Sequence, residues 1–217
     1  MSVSLRCYST SLGCPKNRVD TERLLGSLGV ALVPVESPDE AELVFINPCA
    51  FIQPATEESV RTIAQAIADI EELPKRPLLA VAGCLVGRYH AEDLAPELPE
   101  VDLWLDNSDL EAWPAMLARK LGLPEPTVPG RILSTGPSYA WLKISDGCRH
   151  ACSFCAIPNI RGGHRSHCKD MIVREARALL DQGVKELNLV AQDLTEWGCD
   201  LDGKQDLRTL LDGLLPL

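Results

Sequence analysis

The chain of 217 residues is long enough for one or two domains, and its 46% of hydrophobic residues suffices for a packed core. Its net charge of −10 argues against a nucleic-acid-binding surface, which is usually basic, and favours a basic protein or a small molecule as partner. No apolar run has the length of a membrane span, and residues 1–6 lack the features of a signal peptide. We therefore expect a cytoplasmic protein without membrane contacts.

The nine cysteines are the most informative feature of the composition. An odd number excludes a framework in which every cysteine is paired in a disulfide. In a cytoplasmic protein, thiols more often bind metals or take part in redox chemistry. The positions of these cysteines relative to the predicted strands therefore bear directly on function.

Residues 1–122 alternate between predicted strands and helices, which is typical of a doubly wound α/β fold with a parallel sheet. Apolar runs predict strands at residues 5–11, 30–35, 43–46, 78–82 and 101–105. Pro34 places the second strand at an edge of the sheet, because proline cannot donate a hydrogen bond to the ladder.

Two helices are predicted between the first four strands. The first covers residues 17–28, with Asn17 as its N-cap and Gly29 just past its end. The second covers residues 57–72, and apolar residues at helical spacing predict the stripe that it buries. The stripe consists of Val60, Ile63, Ile67 and Ile70.

A further helix is predicted after the fifth strand, where Ser108 and Glu111 have the form of a capping box. Pro114 either kinks this helix or delays its start. Residues 123–138 are rich in proline and glycine and show little periodicity, which predicts a linker. This linker separates the N-terminal domain from residues 139–217.

Three cysteines follow predicted strands, at positions 35 residues apart. They are Cys14, Cys49 and Cys84. A single cysteine is most often a small buried hydrophobic residue. However, the carboxyl ends of parallel strands share one edge of a sheet, and ligands gather there. We therefore expect these three thiols to converge on one metal centre.

Residues 139–217 predict two βα units. Strands are expected at 139–144 and within 184–191, and helices at 170–182 and from about Asp206. Two units fall short of a barrel, so the sequence as given predicts only the first part of a TIM-like barrel, truncated.

A loop after the first of these strands carries three cysteines with the spacing C-x₃-C-x₂-C: Cys148, Cys152 and Cys155. Thiolates are the usual ligands of iron–sulfur clusters, and a four-iron cluster normally takes four. Three thiolates would leave one iron free to hold a substrate or cofactor. The alternative is a structural zinc site closed by His164, His167 or Cys168.

Polar residues near this loop are further candidates. Arg161 precedes two glycines that allow close backbone approach to a ligand, and it either meets a carboxylate or is an ordinary solvated residue. Gln192 and Asp193 follow the last predicted strand, where polar residues tend to be functional in barrels. A turn or a helix cap explains Gln192 and Asp193 equally well.

Taken in order along the chain, these motifs resemble those of the methylthiotransferases, which are radical S-adenosylmethionine enzymes. The resemblance rests on Ser11–Asn17 (SLGCPKN), Cys49, Gly83–Leu85 and the stretch from Cys148 to Gly162. Within the family, the Gly-Cys-Pro-Lys-Asn form is most similar to the branch that modifies a ribosomal protein. The tRNA-modifying branch more often has Gly-Cys-Gln-Met-Asn.

The resemblance implies a radical-SAM barrel in the C-terminal part, two 4Fe-4S clusters and S-adenosyl-L-methionine as cofactor. Cys148, Cys152 and Cys155 would hold the radical-generating cluster, and Cys14, Cys49 and Cys84 an auxiliary cluster that carries or donates sulfur. Phe154 would lie near the bound cofactor, and Arg161 and Gln192 are the other cofactor-binding candidates. The remaining cysteines match no family ligand and are interpreted as bystanders: Cys7, Cys168 and Cys199.

The resemblance further implies that a methylthio group is added to the β-carbon of an aspartate in a small-subunit ribosomal protein. An electron donor such as flavodoxin or ferredoxin would be a second partner. The first alternative is a tRNA adenosine methylthiotransferase, the one interpretation that requires a nucleic-acid partner. The second alternative is a non-catalytic metal-binding module, because the rest of the barrel and the family's C-terminal TRAM domain are missing from the sequence. His167 and Pro48 also depart from the family pattern, which commonly has arginine and threonine there.

Overall fold

A computed structural model describes residues 4–203 and 205–217. The chain divides into two compact units, Met1–Ile132 and Leu133–Leu217. No helix among the described residues combines the length and the apolar character needed to cross a membrane.

The first unit is built on a parallel sheet, which confirms the predicted fold class for this part. Its strands are β1 (Ser4–Ser11), β2 (Ala31–Pro34), β3 (Leu43–Asn47), β4 (Leu78–Gly83) and β5 (Leu103–Asp106). They are hydrogen-bonded in the order β2-β1-β3-β4-β5, and each pairing is parallel. This order is one of the two common orders of doubly wound sheets. As predicted, Pro34 lies in an edge strand.

Helices cover the sheet because successive strand residues point to opposite faces and both sets are apolar. The helices are α1 (Pro15–Ser27), α2 (Gln53–Ile70), α3 (Cys84–Tyr89), α4 (Ala91–Leu94) and α5 (Trp113–Leu121). Residues of α1 and α5 share a core with Leu43 and Phe45 of β3. The alternate residues Val44 and Ile46 are also fully buried, on the opposite face.

Three helix predictions need correction. Helix α1 begins at Pro15, not at Asn17, because proline fits the first helical position and Cys14 takes the cap. Helix α2 buries Ile63, Ile67 and Ile70 as predicted, but Val60 is 41% exposed. The predicted capping box does not form, and α5 begins only at Trp113, because Pro114 is accommodated in a first turn.

The second unit contains two βα units, as predicted. Strand β6 (Tyr139–Lys143) pairs in parallel with β9 (Glu186–Val190), and the short strands β7 (Ser145–Asp146) and β8 (Arg165–Ser166) pair antiparallel. The helices are α6 (Ile157–Arg161), α7 (Lys169–Asp181) and α8 (Leu207–Leu214). Apolar residues of β6, α7 and α8 form one core with Trp197. Whether these units belong to a radical-SAM barrel stays a prediction.

Candidate metal centres

The first cysteine group lies at one edge of the sheet in the first unit. Strands β1, β3 and β4 are adjacent and parallel, and each is followed within three residues by one cysteine: Cys14, Cys49 and Cys84. In this strand order the chain reverses its winding direction between β1 and β3, which opens a crevice beyond their carboxyl ends. Cys14 and Cys49 therefore follow the two strands that border the position where doubly wound sheets bind their ligands.

Asn17 links the loops that carry these cysteines. Its side chain is fully buried, and its amide nitrogen donates to the carbonyl oxygens of Leu12 and Pro48, at 3.1 and 3.0 Å. Its amide oxygen accepts a hydrogen bond from the Cys84 thiol at 3.3 Å. One side chain thus contacts the loop before Cys14, the loop before Cys49, and Cys84 itself.

A second layer of hydrogen bonds fixes Asn17 in turn. The Asn47 side chain donates to the backbone oxygen of Asn17 at 2.9 Å and to the Thr21 hydroxyl at 3.1 Å. Cys49 is held separately, because its amide donates to the buried Ser59 hydroxyl and its carbonyl accepts from the same hydroxyl. Hydrogen bonds within the chain therefore fix the backbone at Asn17 and at Cys49.

Gly13 is required by both its conformation and its surroundings. Its φ is +85°, and a Cβ built there would lie 2.8 Å from the sulfur of Cys49. Gly29 has a similar φ of +67°, but no atom lies within 4 Å of a Cβ built there. Replacing Gly29 therefore measures the cost of the backbone conformation without the cost of a steric clash.

We expect Gly29→Ala to lower the free energy of unfolding by about 1–2 kcal/mol, the cost of a left-handed conformation in an L-residue. Gly13→Ala should cost more and should also displace the Cys49 side chain. Chemical unfolding and metal content of both variants test this. Equal losses of stability, with metal binding intact in Gly13→Ala, would contradict the proposed close contact.

The second cysteine group lies in the loop between β7 and α6 of the second unit. Gly147, with φ of +66°, allows the chain to pass against Gly163, whose oxygen would lie 2.1 Å from an added Cβ. The Cys148 amide donates to the Gly162 oxygen at 3.2 Å, and the Cys155 amide to the Cys152 oxygen at 3.0 Å. The three thiols are at least partly accessible, and Cys152 is exposed. Hydrogen bonds thus close the loop at its base, and none of its three cysteines is fully buried.

A buried charge network lies beneath the base of this loop. The Asp146 carboxylate is 2.7 Å from Lys143 Nζ and 2.9 Å from Arg161 Nη1, and all three side chains are at most 4% exposed. Burial alone would raise the pKa of Asp146, but Lys143 and Arg161 outweigh it and hold this pKa well below its usual range. Asp146 therefore carries its charge at neutral pH and fixes Arg161, the residue at which α6 ends.

The three predicted cofactor-binding residues have different environments. Phe154 is 90% exposed at the tip of the cysteine loop. Arg161 is committed to the ion pair with Asp146. Gln192 follows β9, next to β6, and both polar atoms of its side chain are buried without a hydrogen-bond partner among the described residues. An unsatisfied buried amide is suited to a ligand that supplies the missing partners.

An ion pair and a hydrogen bond connect the cysteine loop to the segment after β9. Arg149 pairs with Glu196, and His150 lies 3.1 Å from the carboxylate of Asp193. Hydrogen bonds from Thr195 lower the pKa of Asp193 against a smaller effect of burial, so this carboxylate is ionised at neutral pH. Asp193, interpreted above as functional or as a turn residue, thus forms a turn and also contacts the loop.

Sequence reasoning missed Asn17 as a linking residue and Asp146 as a buried anion. For Asp146 a signal was present, because Lys143 and Asp146 stand three residues apart beside an apolar strand. Of the remaining cysteines, Cys7 is buried in the core, where burial raises its pKa to about 12, while Cys168 and Cys199 are exposed.

Fold and sites together define an α/β protein with three cysteines at a sheet edge and three more in a loop of a second unit. Proteins similar to this chain over nearly all of its length are named as methylthiotransferases, the family that its motifs resemble. Residues 6–106 match the uncharacterized protein family UPF0004.

Three similar proteins are each named ribosomal protein uS12 methylthiotransferase RimO. That of Nitratidesulfovibrio vulgaris strain DP4 is 68% identical over 97% of this chain and 49% of its own length. That of Lawsonia intracellularis is 58% identical over 100% of this chain and 49% of its own length. That of Aquifex aeolicus is 48% identical over 94% of this chain and 45% of its own length. The chain thus spans about half the length of the curated relatives it matches.

Proposed function

We propose that this chain is part of a radical S-adenosylmethionine methylthiotransferase whose substrate is ribosomal protein uS12. The observation that carries the proposal is the placement of two cysteine trios in two separate units. Relatives with 58–68% identity that are named uS12 methylthiotransferases support the substrate. Such names favour a ribosomal protein over tRNA as the substrate.

In this proposal the two trios hold two 4Fe-4S clusters. Thiolates are the usual ligands of such clusters, and both groups offer at least two thiols that are not fully buried. Asn17, Gly13 and Ser59 position the thiols of the first unit. The network of Lys143, Asp146 and Arg161 supports the base of the second loop.

S-adenosyl-L-methionine, when bound, supplies both the methyl group and the radical that activates the substrate carbon. Gln192 fits a role in holding this cofactor, because its buried amide lacks partners among the described residues. The exposed ring of Phe154 offers an apolar surface beside the loop. Arg161 contributes a positive charge that is anchored by Asp146 and therefore fixed in direction.

The proposed substrate also indicates which partners the protein would have. The acidic net charge of −10 is complementary to a basic ribosomal protein. We propose the β-carbon of an aspartate as the modified atom, flavodoxin or ferredoxin as the source of electrons, and the cytoplasm as the location.

Iron and acid-labile sulfide per chain, measured after anaerobic reconstitution, test the proposal. We expect about eight irons in the unmodified protein and about four when Cys14, Cys49 and Cys84 are all replaced by alanine. Cys168→Ala serves as the control, because this exposed cysteine lies outside both trios and should leave about eight irons.

About four irons in both the unmodified protein and the triple variant would remove the auxiliary cluster and with it the basis for methylthiolation. Zinc without inorganic sulfide at both sites would instead identify a non-catalytic metal-binding module.

A further inference from the structure

A third group of metal-ligand side chains lies in the second unit, apart from both cysteine trios. It consists of His164, Cys199 and Asp200, whose ligand atoms all lie within 4.8 Å of one another. His164 precedes β8, and the other two follow the turn that begins after β9. Two segments distant in sequence therefore contribute to one group of an imidazole, a thiol and a carboxylate.

Hydrogen bonds join these two segments. The Ser166 amide donates to Asp200 Oδ2 at 2.8 Å, and the Gly198 amide donates to the Ser166 hydroxyl at 2.9 Å. Because one oxygen of Asp200 is occupied in this way, the other is oriented toward His164, at 3.6 Å from its Nε2. Such outer hydrogen bonds are the usual means of orienting a metal-binding carboxylate.

The His164 side chain is only 3% exposed, and its Nδ1 is buried without a hydrogen-bond partner among the residues that the structure describes. Its Nε2 lies 3.0 Å from the Ser166 hydroxyl. A buried polar atom without a partner commonly marks the position of a bound ion or water. The imidazole of His164 therefore has one buried nitrogen that can accept a further partner, while its other nitrogen lies near Asp200.

We propose that His164, Cys199 and Asp200 bind one zinc ion. Thiolate and imidazole ligands select zinc over calcium and magnesium, which prefer sites made of oxygen alone. Three protein ligands leave the fourth tetrahedral position to a water molecule. The Cys199 thiol, which forms a hydrogen bond with Glu196, releases its proton to solvent when zinc binds.

This site differs from the zinc alternative considered for the sequence. There, His164 was a candidate fourth ligand for the trio of the cysteine loop. The structure groups it instead with Cys199, which had been interpreted as a bystander. Zinc would join the segment that follows α6 to the segment that follows β9. The first segment follows the cysteine loop in sequence, and the second contacts that loop through the Arg149–Glu196 ion pair and the His150–Asp193 hydrogen bond.

Zinc binding to the full chain, reconstituted anaerobically with iron and sulfide so that the cluster cysteines are occupied, tests the proposal. The probe is Zn²⁺ alone, titrated in competition with a chromophoric chelator, with bound zinc and iron counted by elemental analysis. We expect about one zinc per chain, as one three-ligand site requires. Cys199→Ser and His164→Gln should each weaken binding by at least about tenfold, since loss of even an outer partner costs 10–100-fold.

Cys168→Ser is the matched control, because it removes another exposed thiol of the same unit and should bind zinc like the unmodified protein. Cys199 is exposed, so its replacement leaves the core intact even if His164→Gln disturbs the fold. Absence of zinc from the unmodified protein, or equal affinity in Cys199→Ser, would overturn the site. Iron is counted in the same samples, so a missing zinc site is distinguished from missing clusters.

Discussion

Replacing Asp146 with asparagine is expected to lower the free energy of unfolding by about 3–5 kcal/mol, the usual cost of removing one partner from a buried ion pair. Asparagine keeps the shape of the side chain but not its charge. The charges of Lys143 and Arg161 would then remain buried beside a neutral amide, with side chains at most 2% exposed. Urea unfolding at pH 7, followed by circular dichroism, measures the loss.

The pH dependence provides a second measurement. The pKa of Asp146 is lower in the folded protein than in the unfolded chain, so its contribution to stability is complete above the ordinary carboxyl pKa of about 3.9. This contribution is lost as the pH falls from that value toward the lower, folded pKa. We expect the stability of the unmodified protein to fall more steeply below about pH 4 than that of Asp146→Asn.

Glu196→Gln is the matched control for this charge removal. Glu196 pairs with Arg149, whose side chain is 57% exposed, so solvent screens this pair and the loss should be much smaller than that of Asp146→Asn. Similar losses in the two variants would mean that the network of Lys143, Asp146 and Arg161 does not stabilise the second unit as a buried site should.

The fold of the first unit was predictable because its determinants are local or periodic. Continuous apolar runs such as Leu43–Ile46 identify strands buried on both faces, and Pro34 identifies an edge. Helix starts were less predictable, because Asn17 is a favourable N-cap residue in isolation. In the structure, Pro15 starts the helix and Asn17 makes long-range hydrogen bonds instead.

The second unit shows where sequence reasoning reaches its limit. From the sequence, Arg161 was expected either to meet a carboxylate or to be an ordinary solvated residue. The structure provides a carboxylate within the chain, that of Asp146, fifteen residues earlier. No propensity or spacing rule indicates a buried pair formed by a loop that folds back. The proximity of His164 and Cys199 could not be predicted from the sequence either, because it depends on the tertiary contact between two loops.

Replacing Asn17 with leucine is expected to remove the metal centre of the first unit. Leucine has a similar size but cannot donate to the carbonyl oxygens of Leu12 and Pro48, and each buried acceptor left unsatisfied costs about 1–3 kcal/mol. The loops before Cys14 and Cys49 would then lose the side chain that links them. Under the proposed function, iron per reconstituted chain should fall from about eight to about four, as in the triple cysteine variant.

Thr21→Val separates this effect from general loss of stability. Thr21 lies in the same buried layer and accepts a hydrogen bond from Asn47 at 3.1 Å. Its replacement should lower the free energy of unfolding by about 1 kcal/mol while leaving about eight irons bound.

If Asn17→Leu also retained about eight irons, the cysteine positions would have to be set by the sheet edge alone. If both variants lost iron equally, the centre would depend on the stability of the unit and not on Asn17. Iron loss confined to Asn17→Leu is therefore the result that assigns Asn17 the positioning of the three thiols.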